Sequence, residues 1–231
     1  MIEKPENVIA AELTADQYPE PSFWDILLCS GDKFVEEHYN NPEGNCQKAK
    51  SLAKEVFKPD EGTETSWVYD YAEKQYNQVA QDIKDMDCKA DALVRYVGVG
   101  VALLVVVISM LASSENRYIG VAFIPTIIVS LVVIVCALRA EAPFWHAAPP
   151  NATIAMKGTK YHASEEKAKA RFAGKYYEAT EALKLASIYK SKAVGYSVKA
   201  FGWALICLLI PLSLFMIKIF CPCFYNNYLV R

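Results

Sequence analysis

The chain has 231 residues, 53% of them hydrophobic, a formal net charge of −2, and only 10 Gly and 11 Pro. These totals exclude a disordered, a collagen-like or a strongly basic nucleic-acid-coating protein. They leave a large soluble core or membrane spans, and the gathering of apolar residues into long uncharged runs selects spans.

Residues 1 to 66 read as an acidic N-terminal helical module. Pro5, Pro19, Pro21, Pro42 and Pro59 punctuate it. A short apolar helix-like run, PSFWDILLCSGDKFVEEHY, precedes the turn signal NNPEGN, a second helix CQKAKSLAKEVF and the linker KPDEGTETS. The module offers no catalytic constellation.

Residues 67–95 contain neither Gly nor Pro, and Ala72, Tyr76, Val79, Ile83, Met86, Ala90, Leu93 and Val97 recur in alternating steps of four and three. Such a heptad seam predicts a cytoplasmic helix packed against a partner helix. It feeds YVGVGVALLVVVISMLA, which ends at Ala112, and after the turn SSENRY comes IGVAFIPTIIVSLVVIVCAL, which ends at Leu138. Each run is near the roughly 20 residues needed to cross a bilayer core, so residues 96–138 read as a transmembrane hairpin. Gly98 and Gly100 read as close-packing positions.

Residues 139–199 form a basic cytoplasmic segment ending in a second long helix. Its seam is Phe172, Tyr176, Ala179, Leu183, Ala186, Lys190, Ala193 and Ser197, displaced by 100 residues from the first. GVALLVVV from Gly100 is echoed by GWALICLL from Gly202, so the pattern reads as a repeat of long helix plus span. Each rod would run about 45 residues and reach on the order of 40 Å beyond the bilayer. Seams of small and aromatic residues are too narrow for a strong two-helix dimer alone, which points to homo-oligomerisation.

Residues 200–220 supply a third span, AFGWALICLLIPLSLFMI, closed by Lys218, and residues 221–231 a tail, CPCFYNNYLVR. An alternative keeps the third segment in the interface with Cys221 and Cys223 palmitoylated. Pro125 and Pro211 sit inside spans and mark expected kinks. Tyr118, Trp145, Trp203 and Tyr225 fall near span ends, where amphipathic rings prefer the interface. Seven cysteines without paired spacing, and no apolar stretch near Met1, predict a reduced protein that is not secreted. Lys84, Lys89 and Arg95 precede the first span, the turn holds only Arg117, and Arg139 heads the basic segment. By the positive-inside rule the chain is a multi-pass inner-membrane protein with its N-terminus and residues 139–199 in the cytoplasm.

Charge is unevenly shared. Residues 1–66 carry 14 acidic and 6 basic side chains, whereas residues 139–199 carry 11 basic and 5 acidic. The acidic module could lie against the basic helix, or that helix could face an anionic ligand or lipid headgroups. Lys167, Arg171 and Lys175 recur every four residues on one face, with Lys160 before them, Lys184 and Lys192 after, and Tyr176 beside them. Cations interleaved with aromatic rings suit a nucleotide or single-stranded nucleic acid, because phosphates take charge-assisted bonds while bases stack. The plainer alternative is a solvated positive helix with Tyr176 in the seam.

His38, His146 and His162 lack cysteines or carboxylates at ligand spacing, and phosphate loops and nucleophile elbows are missing. No metal, cofactor or enzymatic reaction is therefore expected. No ionisable side chain lies within a span, which disfavours a proton-coupled transporter. A pore lined by hydroxyl and small side chains remains compatible, with Ser109, Thr126, Ser130 and Ser213 as candidates.

The order of long helix, tight hairpin and Ala-, Lys- and Tyr-rich helix resembles the SLATT-type membrane effectors of bacterial nucleotide-signalling and anti-phage systems. The resemblance rests on YAEKQYNQVAQDIKDMDCKADALVRYVGVGVALLVVV, the hairpin around SSENRYIG, and KAKARFAGKYYEATEALKLASIYKSKA, and covers about residues 67–195. The third span and the acidic module depart from that pattern. In layout the chain is also similar to the channel effector of Hailong-type defence, in which an oligonucleotide gates a cytoplasmic chamber. These resemblances imply a homo-oligomer, a tetramer being one closed form, a nucleotidyltransferase encoded alongside, and membrane depolarisation with growth arrest as output.

The expectation is thus an all-α membrane protein with three transmembrane helices, two continuous with long heptad-bearing helices, and a small N-terminal helical cap. Its expected function is a homo-oligomeric ligand-gated pore in anti-phage defence that senses a nucleotide or oligonucleotide. The alternative is a non-conducting anchor that recruits a soluble partner through its acidic module.

Overall fold

Where the sequence carries a heptad, the chain forms long helices, one of them continuous through Gly174, Gly195, Gly202 and Pro211. The computed structural model describes residues 18–41, 47, 51, 66–112, 117–143 and 165–220. Their helices are α1 (Phe23–Leu28), α2 (Gly31–Asn40), α3 (Ser66–Ala112), α4 (Arg117–Ala122), α5 (Ile124–Glu141) and α6 (Glu165–Phe220). The fold is all-helical, and three of its helical stretches are long and apolar enough to cross a membrane. The second N-terminal helix expected over residues 46–57, the linker after it, Trp145, Lys160 and the tail from Cys221 lie outside the described residues, apart from single positions at Gln47 and Ser51.

The run read as one helix over residues 21–39 is two. Ser22 caps α1 reciprocally with Asp25: the Asp25 N–H donates to Ser22 Oγ at 3.2 Å and the Ser22 N–H to Asp25 Oδ2 at 2.8 Å. The Ser22 hydroxyl first, and then the Ser22 backbone N–H, hold the Asp25 carboxyl below its usual pKa. Cys29 then turns extended, with φ −102° and ψ 145°, and Ser30 caps α2 by accepting from the Lys33 N–H at 3.4 Å. A second N-cap serine followed by Gly31 and Asp32 stops one helix and starts the next.

The chain divides into two compact units, to both of which α3 and α6 contribute. Unit 1 comprises Met1–Lys84 with Pro143–Tyr189, and unit 2 comprises Asp85–Ala142 with Lys190–Arg231. In unit 1, the core includes Ile26, Phe34 and Val35 from α1 and α2, and Ala182, Leu183, Leu185, Ala186 and Tyr189 from α6. Phe34 and Tyr189 stack with ring centroids 5.5 Å apart, and the Tyr189 hydroxyl donates to the Cys29 carbonyl at 3.0 Å.

In unit 2, Ile119 and Phe123 are buried against Leu104, Ile108, Leu111, Leu208 and Ile217. Phe123 interrupts the hairpin's second limb: its N–H donates to the Gly120 carbonyl at 3.2 Å, and α5 restarts with Pro125 in its first turn. A proline lacks an N–H, so the break expected there falls where that donor is missing. Pro211 behaves differently, since α6 continues past it to Phe220 as one helix. The buried face of α5 consists of Thr126, Ser130, Val133, Cys136, Ala137 and Ala140. Such small side chains allow close approach, and Ser197 of α6 donates to the Val133 carbonyl at 3.0 Å.

Candidate functional site

Nine of the sixteen residues on the two heptads are buried and the other seven half-buried. Ala72, Tyr76, Ala90 and Val97 of α3 and Leu183, Ala186, Lys190, Ala193 and Ser197 of α6 are buried. Within unit 1 the seam is aromatic. Tyr69 meets Phe172 and Tyr176 edge-on at 6.5 and 5.7 Å, and Tyr76 meets Tyr176 at 5.5 Å. The contacts advance in the same sense along both helices, so the two lie parallel here. Edge-to-face pairs of this kind each contribute about 0.5–1.5 kcal/mol beyond burial. Burial, then the neighbouring Tyr176 and Glu73, push the Tyr69 hydroxyl up to about 12. Burial is also the main cause that raises Tyr76 and Tyr177.

Within unit 2 the seam is polar at one level. The Lys190 ammonium, its side chain only 3% exposed, pairs with the Asp87 carboxylate, which is 39% exposed. Removing one partner of such a pair strands a buried charge, a more costly event than losing a surface pair. The signal for this pair was a lysine at a seam position of the second heptad, three residues out of step with an aspartate of the first.

Sequence reasoning also passed over two acidic residues of the basic helix. Glu181 is buried, and its carboxylate accepts from the Tyr18 hydroxyl and pairs with Lys184 at 2.7 Å. Glu178 accepts from the Tyr39 hydroxyl at 3.1 Å and pairs with Lys175 at 2.8 Å. The N-terminal helices therefore do lie on the basic helix within unit 1. The Tyr18 and Tyr39 hydroxyls bond to its carboxylates.

Lys175 and Lys184 of the expected basic face each have a glutamate three residues along the same helix. Lys192 is half-buried and engaged. The ring of Tyr176 packs in the seam, the place the plainer alternative gives it. Lys167 and Arg171 lie on α6, their side chains outside the described portion. Among the described residues no cluster of His, Cys, Asp and Glu is arranged to hold a metal ion.

A protein-family model described as the Pycsar effector protein domain matches residues 71–220, well over half of the chain. The chain belongs to the Pycsar effector family. It is thus a membrane-disrupting anti-phage effector activated by cyclic nucleotide signalling, and a partner cyclase supplies the cyclic nucleotide. No curated protein and no solved structure matches the chain. The matched segment contains the stretch on which the resemblance to SLATT-type effectors rests, and begins after α1 and α2.

In this Pycsar effector the four hydroxyl residues of the spans occupy two environments. Ser109 and Ser213 are exposed on the single chain and donate back to their own helices, to the Val105 carbonyl at 2.8 Å and the Ile210 carbonyl at 2.7 Å. Thr126, 2% exposed, and Ser130 lie on the buried face of α5, and Thr126 Oγ1 has no hydrogen-bond partner. A threonine normally satisfies itself on the carbonyl four residues back. Here that residue is Ala122, the last of α4, beside the break at Phe123.

Proposed function

We propose that this Pycsar effector is a homo-oligomeric ligand-gated pore, in which a nucleotide bound at the basic face of α6 alters the seam between α3 and α6 and thereby the spans. The observation that carries this reading is that both seam helices continue, each as one helix, into an apolar segment: α3 to Ala112 and α6 to Phe220. Neither helix is interrupted by a loop between its seam and its apolar segment. Ligand can bias the pore only by binding its two states unequally.

Oligomerisation is supported by what a single chain leaves uncovered. Val99, Leu103, Val106 and Met110 of α3 and Leu205, Leu209, Leu212 and Met216 of α6 are exposed. Beside Gly98, Gly100, Gly195 and Gly202 the space that a Cβ would occupy is open, so Gly98 and Gly100 are not the close-packing positions within the chain that the sequence suggests. On this reading, residues that line a pore between copies are drawn from the exposed set, with Ser109 and Ser213, while Thr126 and Ser130 act within each chain. The phosphate contacts fall to Lys160, Lys167, Arg171, Lys175, Lys184 and Lys192, with the cytoplasmic placement of residues 139–199 that the Lys and Arg distribution predicts. Lys175 and Lys184 must then be shared with Glu178 and Glu181, which favours a ligand that bridges several cations.

The test is the mass of the detergent-purified chain together with cyclic nucleotide binding by calorimetry. A closed ring of several copies that binds nucleotide, with binding abolished by charge reversal at Lys167, Arg171 and Lys175, is the expected outcome. A monomer, or binding untouched by the charge reversal, contradicts the reading.

A further inference from the structure

Unit 2 carries a second charged and aromatic feature, separate from the basic face of α6. The Arg95 side chain is 76% exposed and meets Asp91 through two contacts of 2.8 Å, one turn back along α3. Tyr96 beside it is 79% exposed. On α6, exposed Lys199 places its ammonium 5.7 Å from the centroid of the Tyr196 ring, and Trp203, one turn further, is 63% exposed.

These residues share one level of the helix pair. Taking the Asp87–Lys190 ion pair as the reference point, Arg95 lies about 12 Å along α3, and Tyr96 and Lys199 about 13.5 Å along their helices, at 1.5 Å per residue. Trp203 lies roughly 6 Å deeper by the same rise. Below that level the exposed side chains turn aliphatic, with Val99 and Leu103 on α3 and Leu205 and Ile206 on α6. Above it they are polar: Asp85, Cys88 and Lys89 on α3 and Ser191 on α6 are exposed. From Lys199 to Lys218 the helix rises about 28 Å, close to the thickness of a hydrocarbon core. The layer holding Arg95, Tyr96, Lys199 and Trp203 is thus about as deep as one headgroup region, with the cations outermost and the indole innermost.

We propose that Arg95 and Lys199, flanked by Tyr96, Tyr196 and Trp203, form a binding surface for anionic phospholipid headgroups. Charge complementarity selects this occupant. Lys199 is exposed and has no carboxylate partner among the described residues, and Arg95 keeps donors beyond the two that Asp91 takes. Phosphodiesters at this depth meet a cation on each helix, and their acyl chains lie along the aliphatic faces just below. Asp91 acts as a built-in competitor for Arg95. The surface is independent of whether the chain conducts, since it requires only that α3 and α6 cross the membrane.

The test uses the full chain in phosphatidylcholine vesicles with a trace of spin-labelled lipid, and compares the motionally restricted fraction for phosphatidylglycerol and phosphatidylcholine labels. The wild-type protein is expected to prefer phosphatidylglycerol. Lys199→Gln should lower that preference by up to about fivefold. Arg95→Gln should lower it less, because Asp91 already neutralises part of that charge, and Asp91→Asn should raise it. Lys74→Gln, an exposed cation of unit 1, should leave it unchanged, and soluble glycerol phosphate should not displace the label. Circular dichroism checks that each variant stays helical. Equal restriction of both labels, an unchanged preference in the Arg95→Gln/Lys199→Gln double variant, or displacement by glycerol phosphate would overturn the proposal.

Discussion

Glu181 is a carboxylate placed deep in unit 1 that receives a tyrosine hydroxyl on one side and an ammonium on the other. Glu181→Ala leaves the buried Tyr18 hydroxyl without its acceptor, and is expected to destabilise unit 1 by about 2–3 kcal/mol. Tyr18→Phe, which removes the donor and keeps the ring, should cost about 1 kcal/mol. Thermal unfolding followed by tryptophan fluorescence separates the two. Equal, negligible shifts would show that the contact carries little energy. The tyrosines of the aromatic seam make a pH prediction. The folded-state pKa of Tyr69 is raised from 10.0 to about 12, so the unfolded chain loses that proton first as pH rises. The contribution of Tyr69 is therefore fully present below pH 10 and declines between pH 10 and about 12, with Tyr76 and Tyr177 shifted in the same direction. Unfolding temperature should fall over that window, and more gently in Tyr69→Phe. A wild-type slope identical to that of the variant would contradict the assignment.

At the scale of elements, the packing depends on residues with almost no side chain. Ala90, Ala186 and Ala193 are each fully buried, so leucine at any of them forces the helices apart at a cost of about 1–3 kcal/mol. Gly98→Ala meets open space instead and should be neutral or mildly stabilising in the isolated chain, by up to about 1 kcal/mol. Guanidinium titration in detergent distinguishes these outcomes, and a stabilised Ala193→Leu variant would refute the seam.

The seam was legible in part because heptad spacing is a property of one helix: burial follows it from Leu183 to Ser197, but on the first helix it takes only Ala72, Tyr76, Ala90 and Val97 and leaves Val79, Ile83, Met86 and Leu93 half-buried. The break at Phe123 was legible through Pro125, whose missing N–H acts locally. The division of the N-terminal run at Cys29 was less so, since one capping serine decides it against a continuous apolar pattern. Least legible were Tyr18–Glu181, Tyr39–Glu178 and Asp87–Lys190. Each joins residues more than 100 positions apart, and the first two run against the electrostatic expectation that an acidic module meets cations. Lys184 and Lys175 belong to the same lesson, because periodicity placed them on a face and could not reveal that neighbouring glutamates hold them.

On the scale of the whole molecule, membership of the Pycsar effector family and three membrane-long apolar stretches define a membrane-disrupting protein. Its two seam helices each continue into an apolar segment, which is the basis of the gating proposed above. The Asp87–Lys190 pair lies in their seam. Lys190→Ala leaves a partly exposed carboxylate facing an apolar seam, and is expected to destabilise the chain by about 3 kcal/mol, at the lower end of the range for buried pairs because Asp87 keeps contact with water. Asp87→Asn/Lys190→Gln, which keeps the polarity and removes both charges, should recover part of that loss. A double variant whose loss equals the sum of the single losses would show that the pair contributes nothing.

The central claim, that a ligand gates a pore, is tested most directly by ion flux. The purified chain is reconstituted into vesicles loaded with a potassium-sensitive dye, and cyclic nucleotide is added from outside to chains oriented with residues 139–199 outward. The account predicts potassium flux that changes on nucleotide addition and that charge reversal at Lys167, Arg171 and Lys175 leaves insensitive to nucleotide. Vesicles that contain the protein and stay sealed with and without nucleotide would contradict it.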